Sequence, residues 1–137
     1  ASKQVLPGFP ADDAQVRGSC SAADRKIIFA AGGGHSTDSW PQVCASCGRE
    51  AYSIWSGVSA KEFKTCVNRR LTAHHGEGIS PGCGDCFVSA AVRGAANCKW
   101  ACLTTWCSED CLACSQKWLP ADHGECVGFT TPAVESC

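Results

Sequence analysis

Cys83-Gly-Asp-Cys86, Asn97-Cys98-Lys-Trp-Ala-Cys102, Cys107-Ser-Glu-Asp-Cys111-Leu-Ala-Cys114 and Cys126 form a nearly mirror-symmetric array, C-x2-C-x11-C-x3-C-x4-C-x3-C-x2-C-x11-C, and its reading decides the fold. Cys98 and Cys102 stand one helical turn apart on a single face, and Cys107 and Cys111 repeat the spacing. Only Leu103-Thr-Thr-Trp106 separates the two pairs, which suits a tight turn between antiparallel helices. Partners across an antiparallel hairpin keep a constant sum of residue numbers. Cys102–Cys107, Cys98–Cys111 and Cys83–Cys126 share one such sum, so the spacing predicts them as nested bridges. Cys86 and Cys114 fall out of that register by about nine residues, roughly 13 Å along a helix axis, which is beyond disulfide reach. They are expected to tie the hairpin to Cys44, Cys47 or Cys66 in the N-terminal half.

The whole chain carries 13 cysteines in 137 residues, a density that reads as a disulfide scaffold. An odd number leaves one sulfur outside any intramolecular bridge, and such a chain matures where thiols are oxidised. The length fits one domain that can bury a core of its own, so the bridges supplement a core. Twelve basic residues stand against 13 acidic ones, and no block of like charge exceeds two residues. That excludes the electrostatic footprint expected for nucleic acid or an anionic membrane. The longest apolar run, Ile27 to Ala31, is far too short to span a bilayer. The sequence starts at Ala1 and contains no Met, and a processed form that has lost a targeting segment is expected.

Residues 1–19 read as an extended N-terminal arm punctuated by Pro7, Gly8 and Pro10, and residues 20–137 as a single disulfide-stapled helical domain. Ser21-Ala-Ala-Asp24 caps a first helix that Gly32-Gly33-Gly34 stops. Pro41 opens a second, running to about Trp55. Ser59-Ala-Lys-Glu62 is a capping box for a third, with Arg69, Arg70, His74 and His75 toward its C-terminal end. Ser80-Pro81 opens a fourth that reaches about Leu103, and Ser108 opens a fifth that stops before Pro120. The remainder to Cys137 reads as a loop-like tail. No alternating strand pattern of useful length occurs, so the fold class is mostly α.

No set of residues carries convincing catalytic spacing. His35, Ser36 and Asp38 are too close in sequence to form a triad by themselves, and Gly32-Gly33-Gly34 lacks the Lys-Ser/Thr of a phosphate loop. No catalytic or cofactor-binding residue and no cofactor is expected. Cys44-x2-Cys47 and Cys83-x2-Cys86 also have the spacing of zinc knuckles, and Cys83-x2-Cys86 that of a redox pair near a helix start. The nine further cysteines and the missing strands weigh against both. Trp40, Trp55, Trp100 and Trp118 are expected in or near the core. Trp106 falls at the hairpin tip, where an exposed ring would anchor a partner. Val5, Leu6 and Phe9 on the arm and the apolar tail around Val127 and Phe129 are further contact candidates, since an extended, partly apolar arm can order along a partner surface.

From Cys83 to Phe129, the motifs Cys83-Gly-Asp-Cys86-Phe87, Asn97-Cys98-Lys-Trp-Ala-Cys102, Cys107-Ser-Glu-Asp-Cys111-Leu-Ala-Cys114 and Cys126-Val-Gly-Phe129 resemble small cysteine-rich proteins of dinoflagellates and related algae. That group includes peripheral subunits on the thylakoid-lumen side of photosystem I. The resemblance implies a structural role in the chloroplast thylakoid lumen, with photosystem I core and antenna proteins as partners. A secreted disulfide-rich binding or defence module is the alternative.

Overall fold

The computed structural model describes residues 18–137. The Ser21-to-Asp24 motif forms a reciprocal capping box, the Ser21 hydroxyl accepting the Asp24 N–H at 3.1 Å and the Asp24 carboxylate accepting the Ser21 N–H at 2.9 Å. It opens α1 (Ala22–Ala31), which ends at Gly32 with φ 76°. Ser39 caps α2 (Trp40–Glu50), and Pro41 sits in its first turn. Ser59 accepts the Glu62 N–H at 3.2 Å to open α3 (Ala60–His75), and Gly76 closes it at φ 85°. α4 (Pro81–Asn97), α5 (Glu109–Lys117) and α6 (His123–Val127) complete the helices of the described residues. The chain is therefore a small, mostly helical, disulfide-rich domain, as the sequence predicts.

Three boundaries differ from expectation. α2 stops at Glu50 rather than near Trp55, because Tyr52–Ser53 (β1) and Gly57–Val58 (β2) pair as an antiparallel hairpin with Tyr52 opposite Val58. Strands of two residues are too short to show alternation in a sequence. α4 ends at Asn97, short of Leu103, and residues 98–107 form turns before Ser108 caps α5. The tail contains α6, which carries Cys126.

The core lies among α1, α2, α3 and α4. Ile28, Val43, Phe63, Val67 and Leu71 are fully buried, and the half-cystines Cys20, Cys47, Cys66, Cys83 and Cys86 are buried among them. The bridges thus double as core volume, each sulfur packing as a small hydrophobe. Asp24, only 3% exposed, links two helix starts. Besides capping α1 it accepts the Ser80 N–H at 2.8 Å and the Ser80 hydroxyl at 2.6 Å, which places the start of α4 beside α1.

Six disulfides form: Cys20–Cys83, Cys47–Cys66, Cys86–Cys126, Cys98–Cys114, Cys102–Cys111 and Cys107–Cys137. The expected Cys98–Cys111, Cys102–Cys107 and Cys83–Cys126 pairs are absent. The antiparallel hairpin is real, but its register is slipped by about one turn: Cys98 meets Cys114 instead of Cys111, Cys102 meets Cys111 instead of Cys107, and Cys126 meets Cys86 instead of Cys83. The cause is the length of the connection. Cys107 precedes the N-cap Ser108 and so lies off the helix, leaving Cys111 and Cys114 as the two sulfurs α5 presents on one face. Cys107 joins Cys137 at the end of the tail, and Cys86 and Cys114, expected to reach Cys44, Cys47 or Cys66, stay within the C-terminal half. Cys44 is left with a free thiol.

The tail after Val127 runs back across the His35 loop. The Glu135 N–H donates to the Gly33 carbonyl at 3.2 Å and the Cys137 N–H to the Cys107 carbonyl at 2.8 Å. A Cβ at Gly33 would collide with the Ala133 carbonyl, so this glycine does more than stop α1: it admits the tail.

Candidate functional site

A groove of about 500 Å³ opens between α2, the β1–β2 hairpin, the end of α4 and the loop that follows it. α2 contributes Cys44, Ala45, Gly48 and Arg49, spaced so that they share one face. Tyr52 and Val58 come from the paired ends of the hairpin, and Ala91, Gly94 and Ala95 from the last turns of α4. Cys98, Cys102 and Cys111 supply sulfur from the two bridges that staple the helical hairpin, and Leu103 and Trp106 complete the wall on the loop.

The two ends differ chemically. Toward the C-terminal end of α2 are Arg49, in its last turn, and Tyr52, whose ring centroid lies 5.8 Å from the Lys99 ammonium. Toward the start of α2 the lining includes Cys44 and Trp106, whose indole N–H donates to Gln42 at 2.7 Å. Cys44 is half-buried, and burial pushes its thiol well above its ordinary range, so it is largely protonated near neutral pH and reacts slowly, but measurably, with electrophiles.

Four large apolar side chains are exposed on the connections that flank this groove. Trp55 is 90% exposed at the tip of the β1–β2 hairpin with Ile54 beside it, and Trp100 is 80% exposed between the lining residues Lys99 and Cys102, with Leu103 also exposed. Trp55 and Trp100 are thus corrections to the expectation of core burial, whereas Trp40 is buried and Trp118 half-buried as expected. Each exposed ring sits in a short connection between elements, where no second layer lies over it.

The expected contact residues fare differently. Trp106 is not a free anchor at the hairpin tip: it is half-buried, bonded to Gln42 and set edge-on to the His35 ring at 5.4 Å. Val127 is buried in the core, and Phe129 packs half-buried against Phe29 with ring centroids 6.0 Å apart. Val5, Leu6 and Phe9 lie outside the described residues.

The other chemical candidates do not converge on a site. His35 Nε2–H donates to the Glu135 carbonyl at 2.7 Å, and Ser36 donates its hydroxyl proton to Asp38 at 2.9 Å. That hydrogen bond is the main reason the Asp38 carboxyl lies below its usual range. His74 Nδ1 is 3.8 Å from the other Asp38 oxygen, an acidic neighbour that sequence spacing did not reveal. Of the sulfurs in the two C-x2-C pairs, Cys47 is bonded to Cys66, Cys83 to Cys20 and Cys86 to Cys126, while Cys44 is free. Cys20, Asp24 and Cys83 bring three potential metal ligands close together, but two are joined as a disulfide and Asp24 is engaged by Ser21 and Ser80.

Sequence reasoning missed Arg49, Tyr52, Lys99 and the two glycines that line the groove. The signal available was the glycines, since Gly48 and Gly94 interrupt otherwise helical segments at a cost. Comparison with protein-family models, with curated proteins and with solved structures finds no match.

Proposed function

We propose that this chain is a non-catalytic, peripheral structural subunit that docks on a larger protein complex through the face carrying Trp55 and Trp100. The carrying observation is the exposure of those two rings, together with Ile54 and Leu103, on two adjoining connections of a rigidly bridged domain. Exposed tryptophans on a rigid frame are the side chains that anchor interfaces, because they bury much area at little entropic cost. Six bridges suit a compartment where thiols are oxidised, and no helix among the described residues is long and apolar enough to cross a membrane. The finer assignment rests on the resemblance of Cys83 to Phe129: the thylakoid lumen, photosystem I core and antenna proteins as partners, and stabilisation of the complex or of antenna docking as the role. The arm residues Val5, Leu6 and Phe9 are proposed as a second contact.

The test is co-fractionation from cells that make the protein. The native chain should sediment with chlorophyll proteins, and Trp55→Ser with Trp100→Ser should release it with its bridges intact. Deletion of residues 1–10 tests the arm separately. Recovery of the native chain free in the medium would support the secreted binding module instead. Retention of the double variant would place the interface elsewhere.

A further inference from the structure

We propose that the groove between α2 and α4 binds a single-chain anionic amphiphile, a monomeric long-chain carboxylate, with its head at Arg49 and Lys99 and its chain directed toward Cys44 and Trp106. This goes beyond the docking reading and does not depend on it.

Size and lining come first. At about 500 Å³ the groove lies within the range of small-ligand sites, and aliphatic, aromatic and sulfur groups dominate its walls. Charge gives the polarity of the occupant. Two cations line the groove and no carboxylate does. Neither cation belongs to an ion pair among the described residues, and Glu50, next to Arg49 in sequence, is turned to Arg69 at 3.0 Å. Arg49 stands in the last turn of α2 and Lys99 lies over Tyr52, while toward the start of α2 the groove offers the neutral Cys44 thiol and the Trp106 indole, whose N–H is already donated to Gln42. A head-to-tail gradient from cationic to apolar is the complement of an anionic amphiphile.

The glycines supply an independent support. Gly48 and Gly94 lie inside α2 and α4, where glycine costs about 1 kcal/mol relative to alanine. Close packing does not demand either one: a Cβ added at Gly48 or at Gly94 would meet nothing within 4 Å. Both line the groove, and their bareness keeps it open.

The experiment titrates octanoate, decanoate and dodecanoate, each below its micelle concentration, into the oxidised full-length protein by calorimetry. In parallel, the rate of Cys44 alkylation by N-ethylmaleimide gives a local readout, since Cys44 is the free thiol. Saturable binding with one chain per protein is expected, tightening about fourfold for each added methylene, with Cys44 protected in proportion to occupancy. Arg49→Glu with Lys99→Glu should weaken binding at least about tenfold, the effect of losing 1.4 kcal/mol of head-group attraction. Dodecyltrimethylammonium should bind more weakly than dodecanoate. Gly94→Leu should abolish binding and protection while the protein melts no lower than the parent. The proposal is overturned by the absence of saturable binding, by equal affinity for the anionic and cationic amphiphiles, or by binding that survives Gly94→Leu. Partition onto anionic lipid vesicles with Cys44 alkylated at its free rate would equally overturn it, as it would mark a membrane-contact surface in place of a monomer site.

Discussion

Trp106 donates its indole N–H to Gln42 Oε1 at 2.7 Å across 64 residues of sequence, fastening the loop after α4 to the first half of α2. The same ring stands edge-on to His35, His35 donates to the Glu135 carbonyl, and Cys107 next along the loop is bonded to Cys137. Loop, helix and tail therefore meet at one node, from which Trp106 also lines the groove.

That node should respond to small changes in a graded way. Trp106→Phe keeps the edge-on ring but removes the donor, and should cost about 1 kcal/mol in denaturant unfolding. Trp106→Ala also removes the packing and should cost about 3 kcal/mol. Gln42→Ala should cost about as much as Trp106→Phe, and the double variant less than the two together, because both delete one hydrogen bond. Full additivity would mean that the bond contributes nothing.

Partial reduction followed by peptide mapping should recover Cys98–Cys114 and Cys102–Cys111, with Cys44 alkylated without reduction. In the chain-entropy treatment the bridge separated by 63 residues, Cys20–Cys83, stabilises by about 4 kcal/mol and the one separated by nine, Cys102–Cys111, by about 2.7 kcal/mol. Paired Cys→Ala variants should lose stability in that order, with extra loss at Cys20 and Cys83 because both sulfurs are buried. Recovery of Cys98–Cys111 or Cys102–Cys107 would refute the register.

The register also shows what a sequence can and cannot carry. Local signals were legible: Ser21, Ser59 and Ser108 cap helices and Gly32 ends one, whereas the Ser39 cap was missed. The antiparallel logic of the cysteine array was legible too. Its register was not, because it depends on where α4 ends, and Asn97-Cys98-Lys-Trp carries no proline or glycine to mark the end. The groove was less legible still. Gly48 and Gly94 are far apart in sequence and acquire meaning only when α2 and α4 are set side by side, and nothing local distinguishes the exposed Trp55 and Trp100 from the buried Trp40.

Acid should weaken the fold through His123. Desolvation lowers its pKa, outweighing the Cys86 backbone hydrogen bond and the Asp122 charge that act to raise it, and the ring sits edge-on to Phe87 at 5.3 Å. A histidine depressed in the folded state binds more protons when unfolded, so stability is greatest above the unfolded pKa of about 6.5 and falls as pH drops through the folded value. The melting temperature should decline between neutral and mildly acid pH, and His123→Gln should flatten that decline. An unchanged slope in the variant would remove His123 as its source.

Asp24 offers the sharpest test of how the helices are assembled. Its carboxylate holds the Ser21 N–H at the start of α1 and both the N–H and the hydroxyl of Ser80 at the start of α4, and Ser80 makes no side-chain cap of its own. Asp24→Ala removes one helix cap at the exposed Ser21 and leaves the half-buried Ser80 N–H and hydroxyl without their acceptor, which should cost about 2 kcal/mol. Asp24→Asn keeps one acceptor oxygen where the carboxylate uses two, and should fall between. The effect should also be local: exchange of the Ser80 amide should accelerate more in Asp24→Ala than in a variant of equal stability loss made in the core, such as Val67→Ala. Equal acceleration in the two would mean that Asp24 stabilises only α1, and that α4 is positioned by its bridges and core packing without help from Asp24.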